Sequence, residues 1–165
     1  MRLLALDLGI RMGWALWDGA RLESGVQLFE LKRGESPGMR YLRFRRWLEE
    51  VGEGVQLIVY EAAHHRGGAA TEIAAGFTTR VQEFCAARGL EHASVHTATL
   101  KKWTTGKGNA DKATMLEAVA RRWTACQDDN EADAIALAYY ALAEIISPGG
   151  PGPIPGPPTG PRPKP

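Results

Sequence analysis

The sequence predicts an α/β domain in which an antiparallel meander continues into parallel strands, giving a mixed five-stranded sheet flanked by helices. Three observations carry this. Short apolar runs separated by tight turns fill the first thirty residues. The apolar spacing then changes to that of amphipathic helices, and from there strands and helices alternate.

Leu3 to Leu8 is a nearly continuous apolar run that ends at Gly9, as a buried strand meeting a turn does. Trp14-Ala15-Leu16-Trp17 reads as a second strand closed by Asp18-Gly19, a hairpin signal, and Val26 to Leu31 as a third. Their connections are too short for crossover helices, so the three are antiparallel. Phe44, Trp47, Leu48 and Val51 follow the i, i+3, i+4, i+7 rule of a helix whose other face carries Arg40, Arg43, Arg45 and Arg46; Gly52 and Gly54 end it. Val55 to Tyr60 forms the next strand. A helix follows with Ala70, Ile73, Ala74, Phe77, Val81, Phe84 and Cys85 on one stripe, stopped at Arg88-Gly89. His92 to His96 reads as the fifth strand, and two helices, Ala110 to Trp123 and Asp129 to Ile146, close the domain. The order β-β-β-α-β-α-β-α-α is that of the ribonuclease H-like architecture.

Residues 1–147 form this domain. Residues 148–165 hold nine of the ten prolines and five of the nineteen glycines, a composition that cannot offset its ordering entropy, so they read as a disordered Pro/Gly-rich tail. The whole chain has 20 basic and 19 acidic groups, and without Arg162 and Lys164 the domain is slightly acidic. Bulk charge therefore does not make it a polyanion binder; any nucleic-acid contact must come from local positive charge. Cys85 and Cys126 are too sparse for a disulfide scaffold and point to a reducing cytoplasm. Asp7 ends the first apolar run too early for a signal peptide, and no run is long enough for a membrane helix. The expectation is a soluble cytoplasmic protein with no membrane and no small-molecule cofactor.

Two carboxylates close strands: Asp7 at the end of the first and Glu61 directly after Leu57-Ile58-Val59-Tyr60. Taken singly, each is either a turn-capping residue or part of a site. Together, at corresponding ends of one sheet, they favour a shared site, because a carboxylate beside a buried strand must be solvated, paired or metal-bound. The third group is Asp128-Asp129-Asn130-Glu131-Ala132-Asp133. Helix N-capping accounts for Asp128 to Glu131 but poorly for Asp133, which is flanked by Ala132, Ala134, Ile135 and Ala136. Asp129, Asn130 and Asp133 share one helical face. Oxygen ligands from two strand ends and a helix suit magnesium, with manganese as a substitute, and a metal pair could drive in-line phosphodiester hydrolysis. Zinc-type Cys/His spacing, a nucleophile elbow and a Walker loop are all absent from the sequence.

These residues resemble a known family. Leu4-Ala5-Leu6-Asp7-Leu8-Gly9 with Gly13-Trp14-Ala15 is similar to the opening of RuvC-type Holliday junction resolvases, and Val59-Tyr60-Glu61 to their second acidic strand. The segment from Leu100 to Lys112, with Lys101-Lys102, Gly106-Lys107-Gly108 and Lys112, resembles their basic segment, and Asn130 to Ala138 their last helix. The motifs fall in the family's order over residues 2–145. The resemblance implies a homodimeric, magnesium-dependent endonuclease that nicks two opposed strands of a four-way DNA junction symmetrically. It places Asp7, Glu61 and Asp133 in the metal and catalytic site, with Lys101, Lys102 and Lys112 on the DNA side. The chain departs from the pattern at Asn130, where the family commonly has an acid. An amide can ligate without supplying charge, and Asp129 can compensate. Ile10 stands where small hydroxyl residues are common, and the Pro/Gly tail has no counterpart.

Lys101, Lys102, Lys107 and Lys112 fall within twelve residues, interleaved with glycines, and either contact phosphates or form a solvated face. Trp103 either stacks on an unpaired base or fills a core edge. His64-His65-Arg66-Gly67-Gly68 follows Glu61; Arg66 is a further candidate DNA contact, and the His pair either assists proton transfer or is simply exposed. Two other functions are open, and a third is discounted. One is a ribonuclease H-like nuclease on other branched DNA or RNA/DNA hybrids. Another is a protein that binds junctions without cutting them, because Asn130 removes a charge. The third, an actin-like or sugar-kinase ATPase, would need two such domains and a longer chain.

Overall fold

The computed structural model describes residues 1–62 and 67–148. His64, His65, Arg66 and residues 149–165 of the expected tail lie outside them. The five strands are β1 (Leu3–Asp7), β2 (Arg11–Trp17), β3 (Leu22–Leu28), β4 (Leu57–Glu61) and β5 (Glu91–Val95), in the spatial order β3-β2-β1-β4-β5. The first three are antiparallel neighbours, and β1, β4 and β5 are parallel. The mixed sheet expected from the sequence is present.

Helices cover both faces. Leu4, Leu6, Ile58 and Tyr60 face one way and pack with α1 (Gly38–Val51) and α2 (Ala69–Arg88). An aromatic cluster centres this layer, with Phe44 5.0 Å from Phe77 and 5.5 Å from Phe29 between ring centroids. Leu3, Ala5, Leu57 and Val59 face the other way, toward α3 (Thr97–Thr105), α4 (Lys112–Arg122) and α5 (Asp129–Tyr140). A π-helical turn, Ala141–Ile146, extends α5. Ala132 and Ala134 to Tyr139 are all buried, so α5 lies between the sheet and the two helices beyond it.

Several boundaries differ from the expectation. β3 begins at Leu22, because Glu23, Ser24 and Gly25 pair with β2 despite their polarity; an edge strand tolerates that. Phe29, expected inside the strand, leaves the sheet and enters the aromatic cluster. Arg40, expected on the exposed face of α1, is buried, and its Nε donates to the Phe29 carbonyl at 3.0 Å. Gly89 is left-handed and caps α2, as Arg88-Gly89 predicts. β5 is Glu91–Val95, one residue earlier than expected, and α4 is shorter at both ends than Ala110–Trp123. The regular α-helix of α5 stops at Tyr140, not at Ile146.

One element is additional. The segment read as a basic, glycine-interleaved run contains the nine-residue helix α3. Its sequence, TATLKKWTT, is rich in β-branched threonine, a weak helix former. Tertiary packing of Leu100 and Thr104 overrides that preference. Gly106, at φ 83°, ends the helix, its N–H donating to the Lys102 carbonyl at 2.8 Å.

Candidate active site

Strand register brings the first two carboxylates together. Leu6 pairs with Tyr60 across the parallel β1–β4 ladder, so Asp7 and Glu61 are the next pair in register, on neighbouring strands about 5 Å apart. Alternation sets their direction: Leu3 and Ala5, like Leu57 and Val59, face α5, so Asp7 and Glu61 do too. Both stand at the carboxyl ends of adjacent central strands, where open α/β sheets leave a crevice.

α5 supplies the third group and is held there by four contacts. Asp128 caps it, Oδ1 accepting from the N–H of Asn130 at 2.9 Å and of Glu131 at 3.3 Å. The other oxygen of Asp128 accepts from Arg11 Nε at 2.9 Å and Nη2 at 2.5 Å, tying the helix to β2. Ser24 Oγ donates to Glu131 Oε1 at 2.7 Å, tying it to β3. Gly13, opposite Asp7 on β2, lets the helix backbone settle directly on the sheet: a Cβ there would lie 1.8 Å from the Asn130 carbonyl oxygen. Asp133 is one turn further along.

These groups act on one another electrostatically. Burial, then the charges of Asp133, Glu61 and Asp129, hold the Asp7 carboxyl well above the ordinary carboxylate range. Burial and the charge of Glu61 push Asp133 up to about 7, against the opposing charges of Lys101 and Lys112. Asp7 and Asp133 thus sit where a proton or a cation is wanted. The donor set is all oxygen, which fits a hard divalent cation. Among the described residues, however, no three carboxylate, imidazole or thiol groups close round one point as metal ligands. Two of the carboxylates are engaged elsewhere. Glu61 Oε1 accepts from the Thr97 hydroxyl, and Asp129 Oδ2 accepts from the Lys112 ammonium.

The expected site residues therefore divide. Asp7, Glu61, Asp129 and Asp133 lie near enough for their charges to act on one another, without closing as a ligand set. The backbone of Asn130 is engaged, its N–H at the cap and its carbonyl over Gly13. Lys101 and Lys112 border the cluster and bear on Asp133. Lys102 instead lines an open groove of about 540 Å³ with Thr99, Trp103, Tyr140 and Glu144, and Lys107 is exposed in the loop after α3. Trp103 is packed on one side and lines that groove on the other. Its ring stacks on Trp123 at 5.7 Å, Arg122 lies 4.9 Å from its centroid, and Nε1 donates to Glu144 at 3.0 Å. Sequence reasoning missed Thr97 altogether; the signal was the parallel pairing of Glu61 with Val95, two residues earlier.

The fold and the cluster define a class: a ribonuclease H-like α/β sandwich with carboxylates gathered at the ends of its central strands. Solved structures narrow this to the fold of RuvC. Thermus thermophilus RuvC superposes with a TM-score of 0.66 at 18% sequence identity, covering 86% of this chain and 95% of that one. The same protein in complex with a Holliday junction substrate gives a TM-score of 0.67 at 18% identity, over 86% and 94%. No family model and no curated protein sequence matches the chain.

Proposed function

We propose that this protein is a magnesium-dependent endonuclease that resolves four-way DNA junctions. The observation that carries the reading is the in-register pair Asp7 and Glu61 beneath Asp133, on a fold shared with a RuvC that is known bound to a Holliday junction.

Asp7, Glu61 and Asp133 would hold the divalent ions, with Asp129 compensating for the charge that Asn130 lacks. Bound there, such ions activate water and stabilise the leaving oxygen of a phosphodiester. Lys112 neutralises Asp129 until a scissile phosphate competes for its ammonium. Lys101 and Lys112 lower the electrostatic cost of bringing a phosphate to an acidic cluster. Lys102 and Lys107, more exposed, serve as sequence-independent backbone contacts. A homodimer would match the near two-fold symmetry of a junction. Free thiols at Cys85 and Cys126 suit a reducing cytoplasm. No helix among the described residues is long and apolar enough to cross a membrane.

A competition assay tests substrate and chemistry together. A labelled four-way junction, unbranched duplex and RNA/DNA hybrid are offered with magnesium and with chelator. Magnesium-dependent cleavage of the junction in preference to the others supports the reading. Preference for the hybrid would make it a ribonuclease H-like enzyme of another kind. Asn130 and the open arrangement of the carboxylates favour one second reading, a junction-binding protein that does not cut. Tight binding without cleavage in magnesium or manganese would establish it.

A further inference from the structure

The helix that the sequence concealed turns one face toward the carboxylates. Thr97, its first residue, donates its hydroxyl to Glu61 Oε1. Lys101, one turn later on the same face, supplies one of the two positive charges, with Lys112, that oppose the upward shift at Asp133. His96, at the N-cap, makes no side-chain cap bond, so the positive end of α3 is not claimed by its own cap residue. The Glu61 carboxylate stands there instead, and a negative charge at a helix N-terminus is favourable. Neither Thr97 nor this contact belongs to the acidic or basic motifs that suggested the function.

We propose that Thr97 is a positioning residue for the metal site, an inference that rests on the nuclease reading above. Its hydroxyl fixes Oε1 of Glu61, leaving Oε2 as the oxygen offered to a divalent cation. It also ties that carboxylate to the helix that carries Lys101. Without it, Glu61 is a long side chain repelled by Asp7 and Asp133 and free to leave them. Groups that hydrogen-bond a ligating carboxylate set its orientation, and their loss costs about 10- to 100-fold in metal affinity or activity.

The test is calorimetric titration of the full chain with manganese, without DNA, for wild type, Thr97→Val, Thr97→Ala, Thr97→Ser and Glu61→Gln. Thr97→Val keeps the shape and removes the hydroxyl; Thr97→Ala removes it without adding bulk. Both should weaken manganese binding about tenfold or more. Thr97→Ser should bind close to wild type. In junction cleavage, Thr97→Val should lower kcat at limiting metal, leave KM for the junction unchanged, and recover as metal is raised. Wild-type affinity in both Thr97→Val and Thr97→Ala overturns the proposal, as does a loss in Thr97→Ser equal to theirs. Failure of the underlying reading looks different: wild type binds no manganese, or Glu61→Gln binds it undiminished.

Discussion

The carbonyl oxygen of Asn130 lies where a Cβ on Gly13 would stand, 1.8 Å from that position. Gly13 pairs with Asp7 across the β1–β2 ladder, and Asn130 is one turn before Asp133. A single absent methyl group therefore sets the depth at which α5 sits on the sheet, and with it the approach of Asp133 to Asp7.

Gly13→Ala must push the α5 backbone away, because backbone atoms cannot move aside as a side chain can. The expected cost is about 2–3 kcal/mol of stability, the upper part of the overpacking range, and a larger proportional loss of cleavage. Urea unfolding and initial rates on one preparation check this. Unchanged values for both would mean that α5 is not seated on Gly13.

The carboxylate cluster sets a pH dependence. Burial, then the charge of Glu61, pushes Asp133 from its ordinary 3.8 up to about 7 in the folded chain. Between those pH values the folded state holds a proton that the unfolded state has lost. Stability therefore falls as pH rises through this window and levels off above it. Asp7, also raised, adds to the fall. Asp133→Asn should flatten the profile, melt higher than wild type at pH 8 in chelator, and lose cleavage. Melting curves at pH 5 and pH 8 decide it; an Asp133→Asn protein less stable than wild type at pH 8 would contradict the electrostatic account.

Asp128 and Arg11 form an ion pair, yet their substitutions should differ. Arg11 is more than half exposed, so Arg11→Ala should cost under about 1 kcal/mol. Asp128→Ala also removes the N-cap of α5, which is worth about 1 kcal/mol more. Equal costs in denaturant titration would show that the cap contributes nothing.

Trp103→Ala should destabilise the domain by about 2 kcal/mol, because only part of the ring is buried against Trp123 and Tyr140, while the surviving folded protein binds junction DNA normally. Lys101→Ala should do the reverse: unchanged melting at pH 5, where Asp133 is protonated, with weaker binding and a salt slope reduced by about one. Junction affinity measured over a salt series separates the two. A Trp103→Ala protein that folds but no longer binds would establish the base-stacking role.

What could be read from the sequence followed the strength of the local pattern. Apolar runs ending in an acid located β1, β4, Asp7 and Glu61, and an acid inside an alanine stripe located Asp133. The start of β3 has no apolar signal, because an edge strand tolerates Glu23, Ser24 and Gly25. Arg40 was misjudged because its position on the helix looked polar, although the chain leaving β3 offers it the Phe29 carbonyl. The helix α3 was missed because its threonines and paired lysines carry a weak helical signal, so Thr97, and its bond to Glu61, went unseen. The depth of Gly13 against Asn130 is a relation between residues over a hundred positions apart, which no local pattern contains.

The most direct test of the central claim is nick mapping on a mobile four-way junction labelled in each strand in turn, with wild type and Asp7→Asn in magnesium. Wild type should give paired nicks placed symmetrically on two opposed strands. Asp7→Asn should give none while still binding the junction. Nicking retained by Asp7→Asn, at the same positions and rate, would contradict it.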